Sequence, residues 1–295
     1  MTDHKSQPLK TRILHKLRSI FKFYLFEKWL VAKTQGVSMD RLIYKIVPHS
    51  YTYPHSSFRK FNRFGVKLKA DISDFLGHGL YFGYDNEESR SYDRLLNLVK
   101  PGFLCIDVGA NIGYVSMRMG SAQRDVTVIG FEPDPLNYFR AKENLALNHF
   151  DNISIHHLGL GEQKGEAVME IRTAGNLGGN RIGKSGTSGE KVPITTLDLF
   201  FDQRERTAID LIKIDVEGYE LKVLKGAKKI LSADHPILFV EINDDNLRYQ
   251  GDTAHELIKY LMELGYKDFI HTGNGAVISD KTDFKNLHFD LLAQA

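Results

Sequence analysis

The sequence predicts an α/β protein built on a parallel sheet, and three observations carry that prediction. Short apolar runs at 103–108, 126–132, 152–158, 210–215 and 236–243 alternate with helix-patterned segments. Such alternation reads as parallel strands covered by helices on both faces. The first run, FLCIDV, passes into the turn GANIG and then into a helix-compatible stretch from Tyr114. A strand, a glycine turn and a helix start bring backbone N–H groups close to a nucleotide-like ligand. The second run closes on an acid, Glu132, at the strand end where ligands of such sheets gather.

The elements follow in order. Residues 9–33 repeat at helical spacing, with Ile13, Leu17, Ile20, Phe21, Tyr24 and Leu25 on one face and Arg12, Lys16, Ser19 and Lys22 opposite. That pattern predicts a basic amphipathic helix. Residues 35–62 are aromatic and basic, with prolines at 48 and 54, and read as an irregular connector. The stretch 64–70 alternates like a half-buried strand, LGHGLYFGYD (76–85) reads as strands and turns, and 87–99 reads as a helix. The strand of 103–108 leads to a helix over about 113–121. The strand of 126–132 leads to a helix over about 135–149 capped by Asp134, and the strand 152–158 follows.

The segment 164–195 breaks this rhythm, with six glycines among residues 175–190. It reads as a hairpin tip or as a mobile flap beside a ligand site. The rhythm resumes with the strand 210–215, a helix over 217–231, the strand 236–243 and a helix near 253–264. Short strands near 266–271 and 275–279 end the pattern. Two regions are expected: a basic helical extension with its connector (1–62), and a domain over 63–295 whose ligand core covers about 100–245.

Bulk properties exclude several classes. Of the 295 residues, 42% are hydrophobic and 26% charged, as in ordinary globular chains. The single cysteine, Cys105, rules out an internal disulfide. No run of about 18 apolar residues predicts a membrane span. No signal peptide is evident, so a cytoplasmic location is expected. The net charge of +2 hides an asymmetry: residues 1–70 hold fifteen Lys and Arg against three acids, and the remainder holds 24 against 34. The helix of 9–33 therefore suits either peripheral membrane contact or docking on its own domain or a second subunit. No nucleic-acid partner is expected, and the oligomeric state is left open.

The turn at 109–113 discriminates between ligands. A dinucleotide fingerprint needs a middle glycine so that a pyrophosphate can approach the backbone. Here the turn is Gly109-Ala110-Asn111-Ile112-Gly113, and that glycine is missing. S-adenosylmethionine has no pyrophosphate; it carries an amino-acid tail, a sulfonium and a ribose, for which Gly109 and Gly113 leave room. Asp107 at the strand end can act on the tail's ammonium, directly or through water. Glu132, followed by Pro133, can accept both ribose hydroxyls.

DVGANIGY, FEPDP, TTLD (195–198) and KIDVEGYE (213–220), in this order, resemble the FkbM-type S-adenosylmethionine-dependent methyltransferases. The similarity spans roughly residues 70–243. It implies a Rossmann-like class I methyltransferase fold, a seven-stranded, mostly parallel sheet with an antiparallel last strand. It also implies methylation of a hydroxyl oxygen on a small molecule or glycan, sugar-like or polyketide-like. Carried onto this chain, Asp107, Gly109, Ala110, Asn111, Gly113 and Tyr114 belong to the cofactor's tail region, and Glu132 and Pro133 to the ribose. Leu158 and Gly159 would lie near adenine.

A sugar-type hydroxyl is a weak nucleophile, so a base or metal would help transfer. Asp215, Glu217 and Glu241 stand at the ends of the fourth and fifth runs and are the candidate catalytic groups. Such carboxylates could also hold a divalent ion; no residue is assigned as a metal ligand, and metal dependence stays open. Two other readings remain: a non-catalytic protein that keeps the fold, and an NAD-dependent oxidoreductase on a similar sheet.

Overall fold

The computed structural model describes residues 18–170, 179–183, 189–202 and 206–295. The described chain divides into two compact units, one up to Arg90 and one from Ser91 onward.

The first unit differs most from expectation. Within the predicted helix of 9–33, residues 9–17 lie outside the described residues. The rest is a 3₁₀ turn, Ser19–Lys22, then an extended Phe23 (ψ 134°), then helix α1, Tyr24–Thr34. The helix is therefore interrupted at Phe23. The connector contains strand β1 (Phe58–Arg63), which pairs antiparallel with β2 (Val66–Asp71) across a turn at Phe64 and Gly65. LGHGLYFGYD is not strand and turn: helix α2 covers Phe75–Phe82. Asp74 caps its start by accepting from Leu76 N, and Gly83 ends it in the left-handed region (φ 70°). The glycines that argued against a helix have a tertiary reason. A Cβ at Gly77 would overlap the carbonyl oxygen of Asp71. Helix α3 then runs over Glu87–Leu98.

The second unit holds the predicted sheet. Strand β3 (Leu104–Val108) is buried along its whole length and feeds helix α4 (Tyr114–Ala122). Strand β4 (Thr127–Phe131) feeds α5 (Pro135–Asn148), whose N-cap Asp134 accepts from Leu136 N and Asn137 N. Strand β5 (Ile153–His156) follows. The interrupting segment contributes a separate small sheet of β6 (Gly159–Leu160), β7 (Gly165–Glu170), β8 (Arg181–Ile182) and β9 (Lys191–Thr195). Much of the glycine-rich flap of 175–190 lies outside the described residues.

Beyond the short helix α6 (Leu197–Phe201), strand β10 (Leu211–Ile214) returns to the main sheet. The predicted helix of 217–231 is two shorter ones, α7 (Glu220–Lys225) and α8 (Lys228–Asp234). They break at Gly226, where a Cβ would overlap the carbonyl oxygen of Gly161. Strand β11 (Ile237–Asn243), α9 (Asp244–Tyr249), α10 (Ala254–Glu263) and β12 (Asp268–His271) follow. The expected strand at 275–279 is only an isolated bridge, Ile270 to Val277. The last strand is β13 (His288–Gln294), which sequence reasoning missed, although Phe289, Leu291 and Ala293 alternate inward.

The main sheet has seven strands in the order β12-β13-β11-β10-β3-β4-β5. Strand β13 is antiparallel to both neighbours, and the pairs from β11 to β5 are parallel. The chain leaves β3 toward β5 on one side and resumes at β10 on the other, so the strand order reverses between β3 and β10. That crevice is where open α/β sheets take ligands. Ile106, Val108, Ile212, Ile214, Val240 and Ile242 are at most 1% exposed. Each contributes roughly 1.5–3 kcal/mol by leaving water, and together they hold the strand ends in register.

Candidate active site

The loop from Gly109 to Gly113 is built by its neighbours. Gly109, Asn111 and Gly113 have φ values of 82°, 50° and 81°, in the region that favours glycine and tolerates asparagine. A Cβ at Gly109 would overlap the carbonyl oxygen of Asp215, so β10 closes directly over this turn. Gly109 N and Ala110 N both donate to the Phe131 carbonyl, each at 3.0 Å, tying the loop to the end of β4. Asn144 Nδ2 supports it from α5 through the Ile112 carbonyl at 3.0 Å.

Glu132 forms the other wall. Its Oε2 accepts from Asn111 N at 2.7 Å and its Oε1 from Asp134 N at 2.8 Å. One carboxylate thus bridges the loop and the cap of α5. Burial pushes its pKa up to about 8, against the lowering effect of the two N–H donors. Each oxygen keeps a further acceptor position for a hydroxyl. Pro133 continues this wall, and its carbonyl oxygen lies 3.0 Å from His157 Nε2.

Asp107 is fully buried. Ser116 Oγ donates to its Oδ2 at 2.5 Å, and Lys213 Nζ stands 3.2 Å from its Oδ1. Lys213, on β10, also donates to the Gly109 carbonyl at 2.9 Å and lies 3.5 Å from Asp215. Burial would lower the Lys213 pKa; Asp107 and Asp215 overcome that and hold it above its ordinary value. Sequence reasoning gave Lys213 no part. The signal was the parallel pairing of β10 with β3, which sets Lys213 beside Asp107.

Of the other residues singled out in the sequence, Tyr114 opens α4, is buried, and accepts from Arg118 Nη1 at 2.8 Å. Leu158 and Gly159 form the turn into β6, with Gly159 packed against Ile194. His156 stacks on Phe131 and His157 on Tyr138, on different sides of the strand end.

The carboxylates beyond β10 and β11 gather in one neighbourhood. Asp215 is partly exposed and its backbone N–H donates to the Val108 carbonyl. Glu217 sits at φ 54° and accepts from Asn246 Nδ2 at 2.7 Å. The turn after it is held by Glu220, whose Oε1 accepts from Val216 N and Gly218 N. Burial raises the Glu220 pKa to about 7. Glu241 is half-buried on β11, and its Oε1 lies 2.7 Å from His288 Nε2. Burial first, then Asp215, Glu220, Glu217 and Asp290, raise its pKa well above the usual carboxylate range. Asp290, opposite Glu241 in register, accepts from Ser91 Oγ, and burial raises its pKa to about 6.

His288, like Glu220 and Asp290, is a group here that sequence reasoning missed. Its role depends on β13 running antiparallel, which brings the start of that strand to the carboxyl end of β11. Among the described residues, no group of three or more His, Cys, Asp and Glu side chains is arranged to hold a metal ion.

The family model for the methyltransferase FkbM domain matches residues 107–267, from the strand-end aspartate through β11 and α10. The chain belongs to the FkbM methyltransferase family. Relatives of this FkbM domain include methyltransferase sdnD of Sordaria araneosa. It is 32% identical in a 168-residue alignment that covers 46% of this chain and 63% of the relative. The hexuronic acid methyltransferase AglP of Haloferax volcanii is 29% identical over 139 residues, 46% of this chain and 54% of that one. Methyltransferase 1 of Beauveria bassiana is 24% identical over 41% of this chain and 57% of its own. The chain thus spans less than two thirds of each relative's length. Among solved structures, the FkbM methyltransferase of Methylobacillus flagellatus KT is 18% identical. It covers 65% of this chain and 43% of its own, with a TM-score of 0.43.

Proposed function

We propose that this FkbM domain transfers a methyl group from S-adenosylmethionine to a hydroxyl oxygen of a small molecule or glycan. The observation that carries the reading is Glu132, a buried carboxylate anchored through both oxygens beside a positive-φ loop at the sheet's switch point. Those residues fit an adenosine with a charged tail. Glu132 has acceptor capacity for ribose hydroxyls, and the loop of Gly109, Ala110, Asn111 and Gly113 gives its backbone to the tail. Asp107 works behind that loop, paired with Lys213. Pro133, Leu158 and Gly159 line the adenine side.

When bound, S-adenosylmethionine supplies an already activated methyl on a sulfonium, so positioning does much of the work. This chain then has to orient the acceptor oxygen and take its proton. Asp215, next to the loop, and Glu217 are suited to hold the acceptor's hydroxyls. His288 is suited to take the proton at Nδ1, with Glu241 Oε1 at 2.7 Å from Nε2 fixing the orientation of the ring. The hexuronic acid named for the Haloferax volcanii relative is one sugar acceptor worth trying first.

Calorimetry with S-adenosylhomocysteine tests the cofactor assignment, and the reading fails if wild-type protein binds none. Mass spectrometry after incubation with labelled methyl donor and an acceptor panel tests the transfer.

A further inference from the structure

We infer that the first unit carries a docking surface for an anionic lipid bilayer, formed by Phe23 and the outward face of helix α1. Phe23, Tyr24, Leu25, Phe26 and Trp29 are 68, 65, 77, 49 and 46% exposed. Scattered exposed apolar residues mean little, but a contiguous patch of this kind marks an interaction site. Phe21, half-buried, stacks on Trp29 at 6.4 Å and meets Phe26 edge-on at 6.2 Å, which stiffens the patch.

Helix geometry organises it. Leu25, Trp29 and Ala32 recur at spacings of four and three and form the crest, while Glu27, Leu30 and Thr34 face inward and are buried. Lys28 and Lys33 flank the crest and are exposed. Lys28 Nζ lies 4.5 Å from the centre of the Tyr24 ring. The helix's one acid points away from the surface: Glu27 Oε1 is 2.6 Å from Arg59 Nε, and Tyr81 donates to it. The presented face thus combines an apolar crest, interfacial aromatics and cations.

Charge complementarity chooses the occupant. Residues 1–70 hold fifteen Lys and Arg against three acids. Aromatic rings settle at the headgroup level of a bilayer, and lysines beside them attract anionic headgroups. A second copy of this chain that used the same patch would bring the same excess of positive charge to the contact. No described helix is long and apolar enough to cross a membrane, and the surface requires none.

The test uses the full chain and its one tryptophan, Trp29. Vesicles of phosphatidylglycerol mixed with phosphatidylcholine should shift its emission to the blue, and brominated lipid should quench it. Pure phosphatidylcholine vesicles should bind about tenfold more weakly, and Lys28→Glu/Lys33→Glu should lose a similar factor on the anionic vesicles. Leu25→Ser, which keeps the reporter, should weaken binding severalfold without changing the melting temperature. Unchanged emission at saturating anionic lipid overturns the inference, as does equal binding to the two vesicle types. Sedimentation equilibrium showing a dimer that Leu25→Ser dissociates also overturns it, because a second copy would then cover the patch. None of these readouts needs a methyl acceptor.

Discussion

Lys213 and Asp107 stand side by side on adjacent parallel strands, Nζ to Oδ1 3.2 Å, each almost wholly out of water. Asp107 Oδ1 takes no well-aligned hydrogen bond, so the ammonium is its compensation. The same ammonium reaches the Gly109 carbonyl at 2.9 Å. An ion pair inside the sheet thus fixes the start of the loop.

Lys213→Met should destabilise the protein by about 3–5 kcal/mol, because it leaves a buried carboxylate uncompensated. Lys213→Met/Asp107→Asn should recover part of the loss. Urea midpoints of the two variants measure this; equal midpoints would show that the pair does not couple.

Gly109→Ala should abolish cofactor binding and lower the melting temperature, since the residue sits at φ 82° with the Asp215 carbonyl against it. A melting curve and a calorimetric titration with S-adenosylhomocysteine check both halves.

Glu132→Ala should weaken S-adenosylhomocysteine binding at least about tenfold, because it removes the acceptors of two ribose hydroxyls at once. Its titration also predicts a pH trend. The folded-state pKa of about 8 exceeds the ordinary carboxylate value, so between about pH 4.5 and pH 8 the folded protein binds more protons than the unfolded chain. Stability should therefore fall as pH rises through that window. Glu220 and Asp290, raised to about 7 and about 6, push the same way. Denaturation midpoints from pH 5 to pH 8 should decline, and Glu132→Gln should flatten the slope.

His288→Asn should cut methyl transfer about 10²–10⁴-fold, the usual worth of a general base, and leave S-adenosylhomocysteine affinity within about twofold. Glu241→Gln should have a smaller effect of the same kind, and Asp215→Asn should lower turnover more than cofactor affinity. Labelled-methyl incorporation paired with calorimetry separates the two quantities. Wild-type turnover in His288→Asn would remove it from the mechanism.

The order of strands and helices from 103 to 243 was legible because apolar runs and caps are local signals. Asp134 is the N-cap that the sequence indicated, and β3, β4 and β11 begin and end within a residue or so of expectation. Elements whose reasons are remote were illegible. Gly77 is glycine inside a helix because the Asp71 carbonyl leaves no space for a side chain, and Gly226, where α7 and α8 part, is glycine because the Gly161 carbonyl leaves none. The predicted helix of 9–33 is interrupted at Phe23, which no periodicity announces.

The sequence by itself determined the α/β class, the loop of 109–113 and the acid at 132, since each is written in consecutive residues. Tertiary structure alone decided that Lys213 neutralises Asp107, that Glu220 holds the turn after β10, and that His288 meets Glu241. These pairs lie 106, 2 to 4 and 47 residues apart. The long-range pairs depend on which strands become neighbours and in which direction they run. The turn depends on burial, which leaves the Glu220 carboxylate facing its own backbone donors instead of water.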